Sequence, residues 1–238
     1  MKTNLFAFGC SHTFGYALPD VIQYMDCYEG EIYPTKFGEN YNFGSKLAWP
    51  QLLADKLNLT CYNYGCCGAN SKEVVWIFTQ CLQHNMISNG DTVTILWPAF
   101  ARTGIFHYNP DNIVLGCVPS ERQWLDRLDK KDTVFYTDYY DEYDFAIQRW
   151  REIILVDLLC KERGINCYHG LVNKELTPKE VGLESLTKNM NIDFTPMDTP
   201  GNSPSWIIDK AFDDGHHGVG SHKLIADKWN TFIKGSKI

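Results

Sequence analysis

The chain predicts an α/β fold, a three-layer α/β/α sandwich with a mostly parallel sheet, built as one domain over residues 1–238. Three observations predict it. Short apolar runs alternate with longer segments of helical period, the pattern of βαβ units. The apolar fraction of 44% and the well-spread 13 Phe, 13 Tyr and 7 Trp are those of an ordinary folded protein, not a disordered one. No internal repeat, low-complexity segment or linker divides the 238 residues, so one large domain with insertions is the economical organisation.

The elements follow in order. Asn4 to Gly9 (NLFAFG) is a first strand ending at a glycine. Trp49 to Leu57 is a helix with Pro50 in its first turn and Leu52, Leu53 and Leu57 inward. Leu59 to Asn63 is a second strand, broken by Gly65 and Gly68. Ser71 then caps a helix whose Val74, Val75, Ile77, Phe78, Cys81 and Leu82 form one stripe. Thr92 to Trp97 is a third strand, closed by Pro98. From Tyr143 to Arg163 the period is helical again, with Phe145, Trp150, Ile153, Ile154 and Leu158 inward and Gly164 as the stop. Ile165 to His169 is a fourth strand, and after Val219 a last helix carries Leu224, Ile225, Trp229 and Phe232 on one face. Two stretches break this rhythm, about 16–45 and 103–140, both rich in Tyr, Phe, Asp and Gly. Connections that long inside one domain are usually functional. A third, Val172 to Phe212, is expected to be a mostly irregular return path.

Charge and cysteines narrow the partners. With 22 basic and 29 acidic residues the formal charge is −7, and no Lys/Arg run interrupts it. That argues against a nucleic-acid groove or an anionic membrane surface. No apolar stretch reaches the roughly 18–20 residues of a transmembrane helix. Nine cysteines without a C-x-x-C pair or a visible secretory core suit a reducing compartment, so the expected location is cytoplasmic. Cys66 and Cys67 are adjacent, yet no His or Cys stands near them at zinc spacing, so no metal is expected there.

Two segments carry chemistry. Gly9-Cys10-Ser11-His12-Thr13-Phe14-Gly15 stands where the first strand ends, and ligands of open α/β sheets bind outside the carboxyl ends of strands. A serine at such a turn lies near backbone N–H groups, as an oxyanion site requires; the same residues also suit a plain helix cap with glycine punctuation. Asp213-Asp214-Gly215-His216-His217 lies just ahead of the last helix. An Asp three residues before a His can hold one imidazole nitrogen and leave the other to take a proton from a nucleophile. Spacing alone leaves two registries open, Asp213 with His216 or Asp214 with His217, beside a solvated turn or part of a metal site.

Together these segments resemble the SGNH hydrolase superfamily, also called GDSL-type esterases. The family's Gly-Asp-Ser block stands here as GCSHTFG, which implies Ser11 as nucleophile and puts Cys10 where the family keeps Asp. Its last block, Asp-x-x-His ahead of a helix, matches DDGHHGVGSHKLIADKW, and the spacing of His216 to His222 implies Asp213 and His216 as the triad partners. AWPQLLADKL and NYGCCGANS look like the family's helix and second block, which implies that Gly68 joins the Ser11 N–H in the oxyanion hole. The resemblance further implies a flavodoxin-like sheet, a serine esterase without a cofactor, and a small-molecule or glycan ester as substrate. GCSHT-type versions with a Trp-to-Arg third block resemble proteins carried by bacteriophages, for which a virion or host cytoplasm is the expected location.

One departure stands out. The family's third block is Gly-x-Asn-Asp, and its Asn supplies another oxyanion donor; here the strand runs on as ILWPAFAR. Losing one such donor costs about 10²–10³ in rate. Asn70 and Arg102 are the candidates to replace it. The aromatics of the two insertions, with interspersed Asp, Asn and Glu, suit a sugar ring better than a bare fatty chain, so an O-acetyl or other small acyl ester on a carbohydrate is the expected substrate. A glycan-binding or assembly protein with an impaired site, and an acyltransferase using the same residues, are the competing expectations.

Overall fold

The structure, a computed structural model, describes residues 3–21, 44–99, 103–109, 112–118, 141–173, 176–193 and 207–236, with the backbone alone at 103–109 and 112–118. Strand β1 (Asn4–Gly9) leads into a one-turn helix α1 (Ser11–Phe14); α2 (Trp49–Leu57), β2 (Thr60–Gly65), α3 (Ser71–Gln83) and β3 (Thr92–Trp97) follow. A hairpin of β4 (Thr103–Asn109) and β5 (Asn112–Val118) comes next, then α4 (Glu142–Glu162), β6 (Asn166–Leu171), α5 (Glu184–Thr187), β7 (Ile192–Asp193) and α6 (Val219–Gly235).

Five strands form one parallel sheet in the order β2-β1-β3-β6-β7. The chain moves outward from β1 to one edge and then returns to build the other, so the strand order reverses between β1 and β3. A crevice opens at such a reversal, outside the carboxyl ends of the strands. Alternation along the strands assigns the layers. Phe6 and Phe8 stack with Tyr62 and Tyr64, and Phe8 meets Phe78 of α3 edge-on at 5.7 Å. On the other face Tyr168 meets Phe232 of α6, and Trp49 of α2 stacks on Trp229 of α6 at 5.4 Å. The sandwich α3/α4, sheet, α2/α6 results, with Leu5, Phe8, Trp49, Ile95, Trp97 and Trp150 wholly buried in its core.

The apolar runs locate β1, α2 and β3 with the bounds read from sequence, and the other elements differ in detail. Strand β2 begins and ends later than Leu59–Asn63 because it pairs with all of β1, Asn4 with Thr60 through Gly9 with Gly65. Helix α3 is capped by Asn70, whose Oδ1 accepts from the Glu73 N–H at 3.2 Å; Ser71 is its first residue and takes a hydrogen bond from Arg149 Nε at 2.8 Å. On α4 the expected inward Leu158 is 58% exposed and Ile154 half-buried, while Asp157 turns inward. The carboxylate is satisfied there by Lys161 at 2.6 Å and faces His169 at 3.7 Å, which a helix apolar on most sides does not announce. The return path holds α5 and the edge strand β7, and the second insertion holds the β4–β5 hairpin. Most of the first insertion, residues 22–43, and residues 119–140 of the second lie outside the described residues.

Candidate active site

The turn that carries Ser11 is held from three sides. A Cβ on Gly9 would overlap Thr13 Oγ1 and stand 2.6 Å from the Leu96 carbonyl, so only glycine lets β1 end this close to α1. The Cys10 carbonyl accepts the N–H groups of Thr13 and Phe14 at 2.9 and 3.0 Å, and the Cys10 side chain is buried. From β2, Asn63 Nδ2 donates to the Thr13 carbonyl at 2.9 Å and its Oδ1 accepts the Gly65 N–H at 2.9 Å. Cys66 N–H donates to the Gly9 carbonyl at 2.9 Å. Ser11 is thereby fixed at the carboxyl end of β1, at the first helical position, where backbone N–H groups have no acceptor within the helix.

The second half of the site is a loop tied to α6. Asp209 accepts from the N–H groups of Gly220 (2.8 Å) and Ser221 (2.7 Å) and from Ser221 Oγ (2.7 Å), which caps the helix with a carboxylate at its positive end. Gly218 permits it, since a Cβ there would lie 2.5 Å from Asp209 Cγ. Across the loop Ala211 N–H donates to the His216 carbonyl at 2.9 Å, and Asp214 adopts φ +56° to close the turn. Phe212 N–H donates to the Ala17 carbonyl at 3.2 Å, joining this loop to the segment after α1.

These two pieces meet in one hydrogen-bond chain. His216 Nδ1 lies 2.6 Å from Asp213 Oδ2, and His216 Nε2 lies 2.9 Å from Ser11 Oγ. Asp213 Oδ1 also accepts the N–H groups of His216 and Gly215, at 3.1 and 3.2 Å. Burial raises the Asp213 carboxyl, but the His216 imidazole and these backbone donors outweigh it and hold the group below the usual carboxylate range. An ionised Asp213 accepts a hydrogen bond from the Nδ1–H and leaves Nε2 able to accept one from the Ser11 hydroxyl. The registry left open by spacing is therefore Asp213 with His216; Asp214 lies in the turn.

Rings crowd this imidazole. His12 is 5.3 Å from His216 between centroids and 4.6 Å from His217, and Tyr16 is 4.8 Å from His216. His217 is buried with neither ring nitrogen partnered among the described residues, and burial, then the nearby His216, push it down to about 4. His222 accepts the Trp49 N–H on Nδ1 at 3.1 Å and is pushed down to about 3, again chiefly by burial. Sequence reasoning singled out neither Asp209 nor Asn63, and it placed Tyr16 only among the aromatics of the first insertion; the glycines around α6 are the one signal that points to Asp209.

Of the expected oxyanion groups, Gly68 sits in the β2–α3 connection with φ +77°, and a Cβ there would meet nothing within 4 Å. The glycine thus serves the backbone conformation rather than a close approach, and the space above it is open. Asn70 is wholly buried as the cap of α3, and Arg102 lies outside the described residues. No group of three or more His, Cys, Asp and Glu among the described residues is placed to hold a metal ion. No described helix is long and apolar enough to cross a membrane.

No family model and no curated protein sequence matches the chain. Solved structures do. A G-D-S-L family protein from Desulfitobacterium hafniense DCB-2 superposes with a TM-score of 0.51 at 12% identity, over 97% of this chain and 99% of that one. The psychrotrophic esterase EstA from Pseudoalteromonas sp., inhibited by monoethylphosphonate, gives 0.50 at 11% identity over 98% of both chains. The acetyl xylan esterase Est2A from Butyrivibrio proteoclasticus gives 0.51 at 12% identity, over 98% of this chain and 64% of that one. The chain has the SGNH hydrolase fold.

On the SGNH fold the four motifs fall on β1–α1, on α2, on the end of β2 with the start of α3, and on the loop before α6. At the third block β3 ends in Trp97, whose indole N–H donates to His169 Nδ1 at 3.1 Å and whose ring lies 5.6 Å from the Arg149 guanidinium. The last side chain of β3 is thus committed to the core, and residues 100–102 of the third block lie outside the described residues.

Proposed function

We propose that this protein is a serine ester hydrolase acting on a small acyl ester, with O-acetyl groups on a carbohydrate as the substrate class. The observation that carries the reading is the chain Asp213–His216–Ser11, at 2.6 and 2.9 Å, at the sheet reversal of an SGNH fold. Ser11 Oγ attacks the ester carbonyl while His216 Nε2 takes its proton; Asp213 holds the imidazole and the imidazolium it becomes. The N–H groups of Ser11 and Gly68 hold the oxyanion, His216 returns the proton to the departing alcohol, and water then releases the acyl group by the same route. Similarity to the acetyl xylan esterase supports a carbohydrate acetate, as do the aromatic residues of the insertions.

Covalent labelling tests the reading. An organophosphonate is expected to add once, at Ser11, with loss of hydrolysis across a screen of short p-nitrophenyl and sugar acetate esters. Labelling at Cys10 instead would sink the serine assignment, and no labelling with no ester cleaved would leave an SGNH scaffold kept for binding. Acyl transfer to an added alcohol faster than to water would make the protein a transferase with the same residues.

A further inference from the structure

Tyr16 stands directly behind the Ser11 turn, outside every motif that carries the family resemblance. Its ring centroid is 4.8 Å from that of His216, with the planes at 56°. That lies inside the roughly 6 Å over which an aromatic face attracts a cation. The placement is enforced by the backbone. Gly15, at φ +82°, ends α1, and the Tyr16 N–H donates to the Ser11 carbonyl at 3.1 Å. Ala17 follows at φ +60°, a left-handed conformation that residues other than glycine seldom adopt, and it is wholly buried with its carbonyl bonded to Phe212 N–H. Unfavourable backbone of this kind persists where surrounding contacts over-determine it. Here it pins the tyrosine between the nucleophile turn and the loop of Asp213.

We infer that Tyr16 is a positioning residue for His216: its ring holds the imidazole toward Ser11 and stabilises the imidazolium formed during acyl transfer by cation–π attraction. The inference rests on the Ser-His-Asp reading above. As the bond from Ser11 Oγ to the carbonyl carbon forms, the Ser11 O–H bond breaks and its proton moves to Nε2. The ring beside Tyr16 carries the positive charge until that proton passes to the departing alcohol. The tyrosine stays a neutral phenol with its π face intact, because burial, then Cys67 and Asp213, raise its own titration. The other groups facing His216 are Asp213 on Nδ1, Ser11 on Nε2, the His12 ring at 5.3 Å, and His217, with His222 acting through His217.

The test is steady-state hydrolysis of p-nitrophenyl acetate by Tyr16→Leu and Tyr16→Phe across pH, with thermal midpoints to confirm folding. Tyr16→Leu is expected to lower kcat about three- to thirtyfold with KM within twofold. Tyr16→Phe, which keeps the ring, recovers the parent rate to within about threefold. A fluorinated phenylalanine series at position 16 keeps the shape and weakens the π face step by step, so kcat should fall in the same order even if the leucine variant unfolds. The inference fails if Tyr16→Phe loses as much as Tyr16→Leu, which makes the hydroxyl the working group. It fails equally if Tyr16→Leu raises KM alone, or if fluorination leaves kcat unchanged. Ser11→Ala separates the two readings: if that variant still hydrolyses the ester, the Ser-His-Asp reading falls, whereas an inactive Ser11→Ala beside an unaffected Tyr16→Leu removes Tyr16 alone.

Discussion

Among the described residues histidine pairs with aspartate twice, once at the rim and once in the core. At the rim, His216 and Asp213 are 2.6 Å apart, both partly exposed, and the other imidazole nitrogen lies 2.9 Å from Ser11 Oγ. In the core, His169 Nε2 lies 3.7 Å from Asp157 and 3.4 Å from the Cys167 thiol, while its Nδ1 accepts from Trp97. Residue types alone would make the second a Cys-His-Asp constellation. Its environment says otherwise: burial lowers His169 despite Asp157, and burial with Cys160 nearby pushes the Cys167 thiol well up. A thiolate and an imidazolium are both disfavoured in a dry core, so the second pair fastens β3, β6 and α4 and does not react. Position at the open end of the sheet distinguishes the two more than chemistry does.

Three experiments break or sharpen that contrast. The largest effect belongs to the rim: Ser11→Ala is expected to lower kcat on p-nitrophenyl acetate by about 10⁴- to 10⁶-fold. Cys167→Ala should leave it within about twofold. A large loss from Cys167→Ala would bring the core pair into the reaction.

Acid titration comes next. His217 and His222 are neutral when folded down to about 4 and about 3, whereas an unfolded histidine titrates near 6.5. Below about 6.5 the unfolded chain binds protons that the folded one refuses. The stabilisation is therefore complete above that pH and drains away as pH falls toward 4, by on the order of 3 kcal/mol for His217. Urea unfolding between pH 7 and 4 should show the slope, and His217→Phe should flatten it. The smallest effect is that of the α6 cap. Asp209→Ala should cost about 1–2 kcal/mol of stability and lower kcat by up to about tenfold as the loop of Asp213 loosens, with Asp209→Asn recovering only part of both because its amide keeps one acceptor oxygen where the carboxylate uses two. Equal kcat values in all three proteins would mean that the loop holds its geometry without the latch.

What was legible in the sequence follows the same division between pattern and environment. Strands β1 and β3 are uninterrupted apolar runs, and Ser11, Asp213 and His216 stand in short motifs, so both are visible without coordinates. The end of β2 is not, because Tyr64 and Gly65 join the sheet only through pairing with Phe8 and Gly9. Asn70 and Ser71 are both acceptable caps by residue type, and the choice falls to Asn70 because Arg149, 78 residues away, takes the serine hydroxyl. Leu158 outside and Asp157 inside reverse the hydrophobic expectation, since Asp157 is held by Lys161 one turn on and faces His169 of strand β6. Asp209 escaped notice for the same reason: its ligands are backbone N–H groups, which leave no trace in composition. The aromatics expected to wall the cleft lie mostly outside the described residues.

The hydrogen bond between Ser11 and His216 spans 205 residues of chain. During synthesis Ser11 emerges first, and His216 follows only after all five described strands of the parallel sheet have been made. At about 5–20 residues per second, the serine waits roughly ten to forty seconds for its imidazole. Through that interval the nascent chain carries the Ser11 hydroxyl without its imidazole partner, and the chain Asp213–His216–Ser11 closes only when the last helix docks and delivers the loop that Asp209 holds.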